Sequence, residues 1–286
     1  MNAKADINVA INRFYETTKL DYYAAWMFRG YPHYHFGYFA EPSMSHRRAS
    51  LRMTELVCEL AQPKPGEAVL DAGCGRGGTS IWLAQNCGVE VTGICLSETM
   101  IRSSRRRARR AGVETSVTFQ NADMAATGFP DASFDVIVAL ESASHTLGPA
   151  AICAEFRRLL RPGGRIVVAD YIVNSSTAQQ ASSRVRRWQR NWHLYGLASR
   201  SEHLAAAEAN ELELSHWQDV SVFVAPSVKR LAKAAARMRQ FNAIMNRLRL
   251  RNRTQVLSAV AARDMGQAFD LGEWSYALFR LDRQAS

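Results

Sequence analysis

One glycine-rich turn constrains the fold of this chain more than any other segment. Residues 69–78 have the sequence VLDAGCGRGG, in which an apolar strand is followed by Asp71 and by glycines at 73, 75 and 78. Glycine lacks a side chain, so the backbone there can adopt positive φ and approach a ligand closely. A helical pattern begins at Thr79, directly after the turn. We therefore predict a strand, a glycine loop and a helix that form a nucleotide-type pocket, with Asp71 accepting hydrogen bonds from the ligand.

Short apolar strands alternate with helical segments between residues 68 and 170. The predicted strands lie near 68–72, 89–95, 117–121, 134–140 and 164–170, and the predicted helices lie near 79–85, 98–111 and 149–160. This alternation is typical of a parallel sheet covered by helices on both faces. Right-handed crossovers then bring the carboxyl ends of the strands to one rim, where ligands of open α/β sheets bind. We expect an α/β fold with a Rossmann-like, doubly wound, mostly parallel sheet.

The segments on either side of this core have different patterns. Aromatic and imidazole rings occupy more than half of residues 22–39, which indicates either a lid over the sheet rim or an arm that packs on the sheet or on another subunit. Further along, helices are predicted at 179–197, 201–209 and 227–262, and strands at 217–224 and 274–281. The two strands would form an antiparallel hairpin that completes the sheet. We predict a helical N-terminal arm (1–54), a cofactor-binding core (55–173) and a helical cap with the hairpin (174–286).

Composition restricts the partners and the location of the protein. The chain of 286 residues has 36 Lys and Arg against 26 Asp and Glu, and its net charge of +10 favours an anionic partner. It contains no helix-turn-helix, RNA-binding aromatic motif or zinc-finger spacing, which disfavours nucleic acid. No apolar run approaches the roughly 18 residues of a membrane span, and the first residues do not resemble a signal peptide. We therefore expect a cytoplasmic protein without a membrane span.

The cysteines and the pair His33 and His35 do not form a metal-binding pattern. The five cysteines include no CxxC pair, and no carboxylate or thiolate set accompanies the two histidines. We predict reduced cysteines that pack in the core, and no bound metal. The ring-rich arm also leads us to expect a dimer or larger homo-oligomer.

Five segments together resemble a known family. They are the turn at 69–78, VEVTGI at 89–94, NADM at 121–124, FDVIVAL at 134–140 and LRPGGR at 160–165. At these spacings they are similar to the class I S-adenosylmethionine-dependent methyltransferases over residues 55–172. The resemblance implies S-adenosyl-L-methionine as cofactor, with the Asp123 carboxylate accepting a hydrogen bond from its adenine amino group. The alternative role for Asp123 is a helix cap. The implied cofactor-binding residues are Asp71, Gly73, Cys74, Gly75, Gly78, Leu96, Ser97, Asp123 and Met124.

Two further segments resemble one branch of that family, which contains sterol, tocopherol, cyclopropane-fatty-acid and prenyl diphosphate methyltransferases. The second strand ends in GICLS at 93–97, without the acidic residue that holds the ribose hydroxyls in many relatives. Met100 stands where this branch commonly has Gln. Residues 35–38 form the His-x-Gly-Tyr segment that precedes the glycine loop in sterol and related small-molecule enzymes. The resemblance therefore implies a small substrate.

Glu141 and His145 follow the fourth strand at the predicted ligand rim. Sterol- and tocopherol-type enzymes carry a similar pair, which implies a role in substrate chemistry. A base such as His145 would remove the proton of an oxygen or nitrogen acceptor. Methylation of an alkene carbon would instead leave a carbocation, which aromatic faces and a carboxylate can stabilise. For Glu141 the alternative is a structural role as a helix cap or as the partner of an arginine.

The aromatic arm favours the second chemistry. We predict C-methylation of a hydrophobic isoprenoid or prenyl acceptor, including a prenyl diphosphate, in natural product and terpenoid biosynthesis. O- or N-methylation of an aromatic or polyketide product, and a non-catalytic cofactor-binding protein, are the alternatives. Arg184, Arg187 and Arg190 would bind a diphosphate, unless they are solvated surface charges. The candidate catalytic residues are Glu141, His145, Tyr22 and Tyr38, and the candidate substrate-binding residues are Tyr23, Tyr31, Phe36, Arg187, Trp188 and Trp192.

Overall fold

The computed structural model of the protein describes residues 3–26, 32–237, 245, 247 and 251–285, and within the first helix only the side chains of 6–18. The described strands are β1 Ala68–Ala72, β2 Glu90–Cys95, β3 Val117–Asn121, β4 Phe134–Leu140, β5 Leu160–Val173, β6 Ala198–Ser199, β7 Leu212–Asp219 and β8 Trp274–Arg283. The described helices are α1 Ala3–Trp26, α2 His46–Ala61, α3 Gly78–Cys87, α4 Glu98–Ala111, α5 Pro149–Leu159, α6 Ser183–Trp192, α7 Arg200–Glu208, α8 Ser221–Arg237 and α9 Arg253–Asp270.

All eight strands belong to one sheet, in the order β3-β2-β1-β4-β5-β8-β7, with β6 beside β5. Strands β1 to β5 pair in parallel, whereas β8 is antiparallel to both β5 and β7. The predicted α/β class with a mostly parallel sheet is confirmed, and so is the closing antiparallel pair. Because the parallel strands share one direction, the ends of β1, β2, β3 and β4 meet at one rim.

The central strands are buried on both faces, which explains their continuous apolar sequences. Val69 on β1 and Val136 on β4 pack in one apolar cluster. Their chain neighbours Leu70 and Ile137 pack in a second cluster on the opposite face. All four side chains are completely inaccessible to solvent. Alternation along each strand thus supplies two hydrophobic layers, one for each covering set of helices.

Two predictions for the C-terminal third are wrong in their bounds. The strand predicted at 217–224 ends at Asp219, and α8 begins at Ser221, whose backbone N–H donates to the Asp219 carboxylate at 2.8 Å. Val224 and Val228 are buried on the inner face of α8, and the buried Val220 directly before the helix continues their spacing of four. The helix predicted at 179–197 is shorter in the structure, because α6 ends at Trp192. Much of the predicted helix at 227–262 is present in α8 and α9, and most of 238–250 lies outside the described residues.

The N-terminal arm is helical, as predicted, and α1 is followed by an extended segment from residue 32. Phe36 in that segment is completely buried, and the Tyr38 ring stacks on Phe223 with centroids 4.3 Å apart. The segment also pairs with the rest of the protein, since the Tyr38 backbone N–H donates to the Ala49 carbonyl at 2.9 Å. The arm therefore packs on the core of its own chain.

The five cysteines are free thiols, as predicted, and Cys58 and Cys87 bring their Sγ atoms to 3.3 Å from each other. Among the described residues, no helix combines the length and apolar character that crossing a bilayer requires. The same residues contain no cluster of three or more histidine, cysteine or acidic side chains that could hold a metal ion.

The Arg165 guanidinium on β5 is a buried charge that anchors the carboxyl end of α2. It is 7% exposed, donates to the carbonyls of Ala61 and Gln62 at 2.6 Å, and pairs with Glu67 at 2.6 Å. We expect Arg165→Met to lower the free energy of unfolding by about 3 kcal/mol, because a carboxylate and two carbonyls lose their donor.

The measurement is urea denaturation followed by circular dichroism. The matched control is Arg161→Met, since Arg161 is 46% exposed and pairs with Asp135 at the surface. That variant should lose no more than about 1 kcal/mol. Equal losses in the two variants would contradict an anchoring role for Arg165.

Candidate functional site

Two adjoining cavities lie at the carboxyl ends of the strands, and α1 covers the larger one. The larger has an empty volume of about 950 Å³, including its part open to solvent, and the smaller has about 320 Å³. The larger cavity is lined, among others, by Leu96, Ser97, Asp123, Met124, Glu141 and His145. Asp71, Cys74 and Gly78 line the smaller one, and Gly73 and Gly75 line both. The structure therefore brings together all nine predicted cofactor-binding residues.

The glycine loop follows β1 and is held against β2. The backbone N–H groups of Gly73 and Cys74 both donate to the Ile94 carbonyl at 2.9 Å, so these two amides are engaged in the loop itself. Gly73 has φ +88°, and a Cβ atom there would lie 2.2 Å from Cβ of Ser142. Only glycine fits this position, because it combines positive φ with close packing. The loop thus lies close enough to β4 to form a continuous floor.

Asp71 lies at the end of β1 with only 2% of its surface exposed. Its carboxylate accepts a hydrogen bond from the Ser80 hydroxyl at 2.5 Å, which fixes it beside the start of α3. Burial raises the pKa of Asp71 to about 6, although the hydrogen bond from Ser80 opposes this shift. A cationic ligand group would stabilise the ionised form.

Helix α1 forms the roof of the larger cavity, and two of its polar side chains bond to residues that line this cavity. The predictions from the sequence did not include them. Asn8 donates to the Asp123 carboxylate at 3.0 Å, and Glu16 accepts from the Ser97 hydroxyl at 2.9 Å. Asn12 also lines the cavity. A signal was present in the sequence, since these three residues are spaced four apart and share one face of a helix. The prediction for the arm rests instead on the ring-rich segment at 22–39.

Glu141 lies directly after β4 in a conformation that is rare for a side-chain-bearing residue, with φ +48°. Its carboxylate accepts hydrogen bonds from the Phe36 backbone N–H at 2.5 Å, from the Tyr171 hydroxyl at 2.5 Å and from the Tyr276 hydroxyl at 2.9 Å. Burial raises the pKa of Glu141 to about 8 against the effect of these donors. Tyr171 and Tyr276 face each other across β5 and β8, a pairing that local sequence does not reveal.

His145 ends a short 3₁₀ turn, Ala143–His145, one turn beyond Glu141. Its Nδ1 atom lies 3.2 Å from the His193 carbonyl oxygen, and its Nε2 atom lies 2.8 Å from the Tyr15 hydroxyl. A carbonyl can only accept, so Nδ1 carries the proton and Nε2 accepts from Tyr15. Burial lowers the pKa of His145 to about 4. The imidazole is therefore neutral near pH 7, with its basic nitrogen facing a hydroxyl of the roof helix.

Most of the predicted substrate and arm residues lie outside the two cavities. Trp188 is completely buried and Trp192 is 6% exposed, and Phe36 packs against the ring of Tyr171 at 5.7 Å. The Arg187 guanidinium pairs with the buried Asp264 at 3.0 Å. Tyr31 and the side chains of Tyr22 and Tyr23 lie outside the described residues. None of the described members of this group, nor Tyr38, lines either cavity.

Comparison with known proteins identifies the family. A family model described as a methyltransferase domain matches residues 70–168. The 27-O-demethylrifamycin SV methyltransferase of Amycolatopsis mediterranei is 32% identical over 206 residues, which are 72% of this chain and 76% of that protein. The chain belongs to the class I S-adenosylmethionine-dependent methyltransferases. Methyltransferase GfsG of Streptomyces halstedii is 31% identical over 246 residues, which cover 85% of this methyltransferase and 84% of that protein.

Solved structures share the fold of this methyltransferase over almost its whole length. The [4+2]-cyclase SpnF has a TM-score of 0.80 at 23% identity, covering 96% of each chain. A geranyl diphosphate methyltransferase bound to geranyl diphosphate and sinefungin also has a TM-score of 0.80 at 23% identity, covering 97% of this chain and 99% of that one. The predicted enzyme class and its cofactor, S-adenosylmethionine, are confirmed.

The residues at the rim fit this cofactor. Its amino acid end needs a carboxylate near a glycine loop, and Asp71 lies there with a raised pKa that a cation would relieve. Its adenosine needs acceptors and an apolar wall, and the larger cavity offers Asp123 beside Met124 and Ile94. The Oδ1 atom of Asn12 is buried and accepts no hydrogen bond from the part of the chain that is described. A buried acceptor of this kind could accept a hydrogen bond from a hydroxyl or amino group of the cofactor.

We expect Gly75→Val to weaken binding of S-adenosylhomocysteine by at least about tenfold, because the branched side chain would enter both cavities at a residue with φ +52°. Isothermal calorimetry measures the affinity. Gly112→Val is the control, since Gly112 has a similar φ of +70° with no atom within 4 Å of an added Cβ. Both substitutions carry backbone strain, but only the first should affect the ligand. Unchanged affinity in Gly75→Val would contradict the site.

Proposed function

We propose that this methyltransferase methylates a hydroxyl oxygen of a hydrophobic small molecule in specialised metabolism, with His145 as the general base. The observation that carries the proposal is the hydrogen-bonding of His145. Its Nδ1 proton is fixed by the His193 carbonyl, which leaves Nε2 as an acceptor 2.8 Å from Tyr15. A neutral imidazole held in one tautomer is suited to remove a proton from an alcohol or phenol.

The cofactor-binding roles are part of the same proposal. Bound S-adenosylmethionine supplies an electrophilic methyl group to the acceptor. Asp71 and the loop of Gly73, Cys74, Gly75 and Gly78 would hold its amino acid end, with Asp71 facing the ammonium group. Leu96 and Ser97 after β2 would lie at the ribose, and Asp123 and Met124 after β3 would hold the adenine. This order follows the order of the strand ends along the rim.

The proton follows a path that the side chains define. The acceptor hydroxyl loses its proton to the Tyr15 hydroxyl oxygen as Tyr15 passes its own proton to Nε2 of His145. Asp170 supports this arrangement, because its carboxylate accepts from the Ser144 backbone N–H at 2.9 Å and fixes the turn that ends at His145. Closure of α1 over the cavity keeps water from competing with the acceptor.

The wall of the larger cavity favours a neutral, apolar acceptor. Ile7 and Ile11 of α1 line it on one side, and Leu140 and Leu147 line it on another. Two of the three arginines considered for a diphosphate are already ion-paired, Arg187 with Asp264 and Arg184 with Glu273. One relative named above is the 27-O-demethylrifamycin SV methyltransferase. Another relative, a probable tocopherol O-methyltransferase of Oryza sativa, is 30% identical over 219 residues. Both names describe O-methylation.

C-methylation of an isoprenoid or prenyl diphosphate is the second candidate, and Glu141 supports it. A carboxylate surrounded by the rings of Phe36, Tyr171 and Tyr276 could stabilise a carbocation and accept its proton. One protein that shares the fold is named a geranyl diphosphate methyltransferase, and a prenyl diphosphate is a substrate of this kind. Burial raises the pKa of Glu141 to about 8, and a cation formed beside it would favour the ionised carboxylate.

We expect His145→Gln to reduce kcat for O-methylation by about 10²- to 10⁴-fold, the usual contribution of a general base. Binding of S-adenosylhomocysteine should stay near the wild-type value. His203→Gln is the matched control, because burial also lowers the pKa of His203 to about 4 but its ring packs against Phe279, and it lines neither cavity. The measurement is steady-state kinetics with calorimetry of cofactor binding. A His145→Gln enzyme with wild-type kcat would refute the base.

Glu141→Gln separates the two candidate functions. For an O-methyltransferase we expect kcat to fall less than about tenfold, because glutamine keeps the shape and can still accept from Phe36. For a C-methyltransferase the same change should abolish turnover. The assay supplies ¹³C-methyl S-adenosylmethionine with 27-O-demethylrifamycin SV or with geranyl diphosphate, and NMR distinguishes a methoxy carbon from a C-methyl carbon. A C-methyl product that disappears in Glu141→Gln would overturn the proposal in favour of the second candidate.

A further inference from the structure

Three polar residues of α1 form a row, and two of them, Asn8 and Asn12, line the larger cavity. Asn8, Asn12 and Glu16 are spaced four apart, so their side chains lie along one ridge of the helix. Ile11 and Phe14 occupy the neighbouring buried face, at 3% and 1% exposure, and fix the rotation of the helix about its axis. The apolar face therefore holds the polar row above the rim of the sheet.

The row crosses the ends of two adjacent strands. At one end, Asn8 donates to the Asp123 carboxylate at 3.0 Å, just beyond β3. At the other, Glu16 accepts from the Ser97 hydroxyl at 2.9 Å, just beyond β2. Strands β2 and β3 pair in register up to Cys95 and Asn121. The helix thus lies across the positions where an adenosine would extend from the β3 end to the β2 end.

Strand β2 itself supplies no carboxylate at this point. Its last residues and those that follow are Gly93, Ile94, Cys95, Leu96 and Ser97, and none of them is acidic. A ribose presents two neighbouring hydroxyl donors, and a carboxylate is the side chain that can accept both at once. The Glu16 carboxylate is brought to the end of β2 by its hydrogen bond with Ser97.

Asn12, between the other two, provides an independent indication of a ligand. Its Oδ1 atom is buried in the cavity wall and accepts no hydrogen bond from the described residues. Buried polar atoms without partners are rare in folded proteins and indicate a missing donor. A ligand hydroxyl or amino group lying along the row would supply that donor.

We propose that α1 replaces the missing strand carboxylate, with Glu16 binding the ribose hydroxyls of the cofactor and Asn12 accepting from the same adenosine. This inference rests on the proposed placement of adenosine between Ser97 and Asp123. The roof helix is then part of the cofactor site. Ser97 acts as the positioning residue that holds Glu16 at the end of β2.

The test compares S-adenosylhomocysteine with its 2′-deoxy and 3′-deoxy analogues by calorimetry. The wild-type protein should bind the parent compound about tenfold or more tightly than either analogue, since a hydrogen bond to a charged acceptor is lost. Glu16→Ala should bind all three compounds with similar affinity. Glu16→Gln should keep part of the preference, because its amide oxygen still accepts one hydroxyl.

Asp6→Ala is the matched control, because Asp6 is an exposed acid on the same helix. It should retain the full preference for the ribose hydroxyls. A Glu16→Ala protein that still discriminates tenfold, or a wild-type protein that does not discriminate, overturns the inference. No acceptor is present in this test, so its result is independent of whether oxygen or carbon is methylated. An error in the cofactor site itself would appear separately, as unchanged affinity in Gly75→Val.

Discussion

The carboxyl group of Glu141 joins three parts of the chain that are distant in sequence. It accepts from the Phe36 backbone in the arm and from the hydroxyls of Tyr171 on β5 and Tyr276 on β8. Burying a carboxyl group without partners would be costly, so these donors are required wherever it lies. The position of the arm, the antiparallel end of the sheet and the floor of the cavity are therefore mutually dependent. The strained φ of +48° at Glu141 is tolerated because the surrounding contacts fix it.

Helix α1 packs on the core with one face and contacts the rim of the sheet with another. Its buried face, with Ile11 and Phe14, attaches it to the core, while its polar row faces the rim. The contact between Tyr15 and His145 adds a link to the turn after β4. A single helix thus touches groups that follow β2, β3 and β4. The proposed cofactor contacts and the proposed proton path therefore both depend on the position of this helix.

The sequence was sufficient to predict the elements whose signals are local. Strands β1, β3 and β4 and helix α4 match the predicted bounds, because apolar runs, the Ser97 cap and Gly112 mark them. The nine predicted cofactor-binding residues converge for the same reason, since strand ends of a parallel sheet meet at one rim. The strand predicted through Val224 is wrong, because valines alternate at 220, 222 and 224 in the sequence, whereas the structure buries Val220 and Val224 and leaves Val222 72% exposed. Tyr15, Tyr171 and Tyr276 could not be assigned in advance, because only tertiary packing brings them to His145 and Glu141.

The turn after β4 contains an acid and a base whose proton affinities are in reverse order. Burial raises the pKa of Glu141 to about 8 and lowers that of His145 to about 4. In water the imidazole would be the stronger base of the two. Here the carboxyl group of Glu141 keeps its proton near pH 7 while the imidazole of His145 stays neutral, so neither side chain carries a charge. The turn after β4 therefore adds no charge of its own to the larger cavity near pH 7, and among the described residues that line this cavity the charged side chain is the carboxylate of Asp123, after β3.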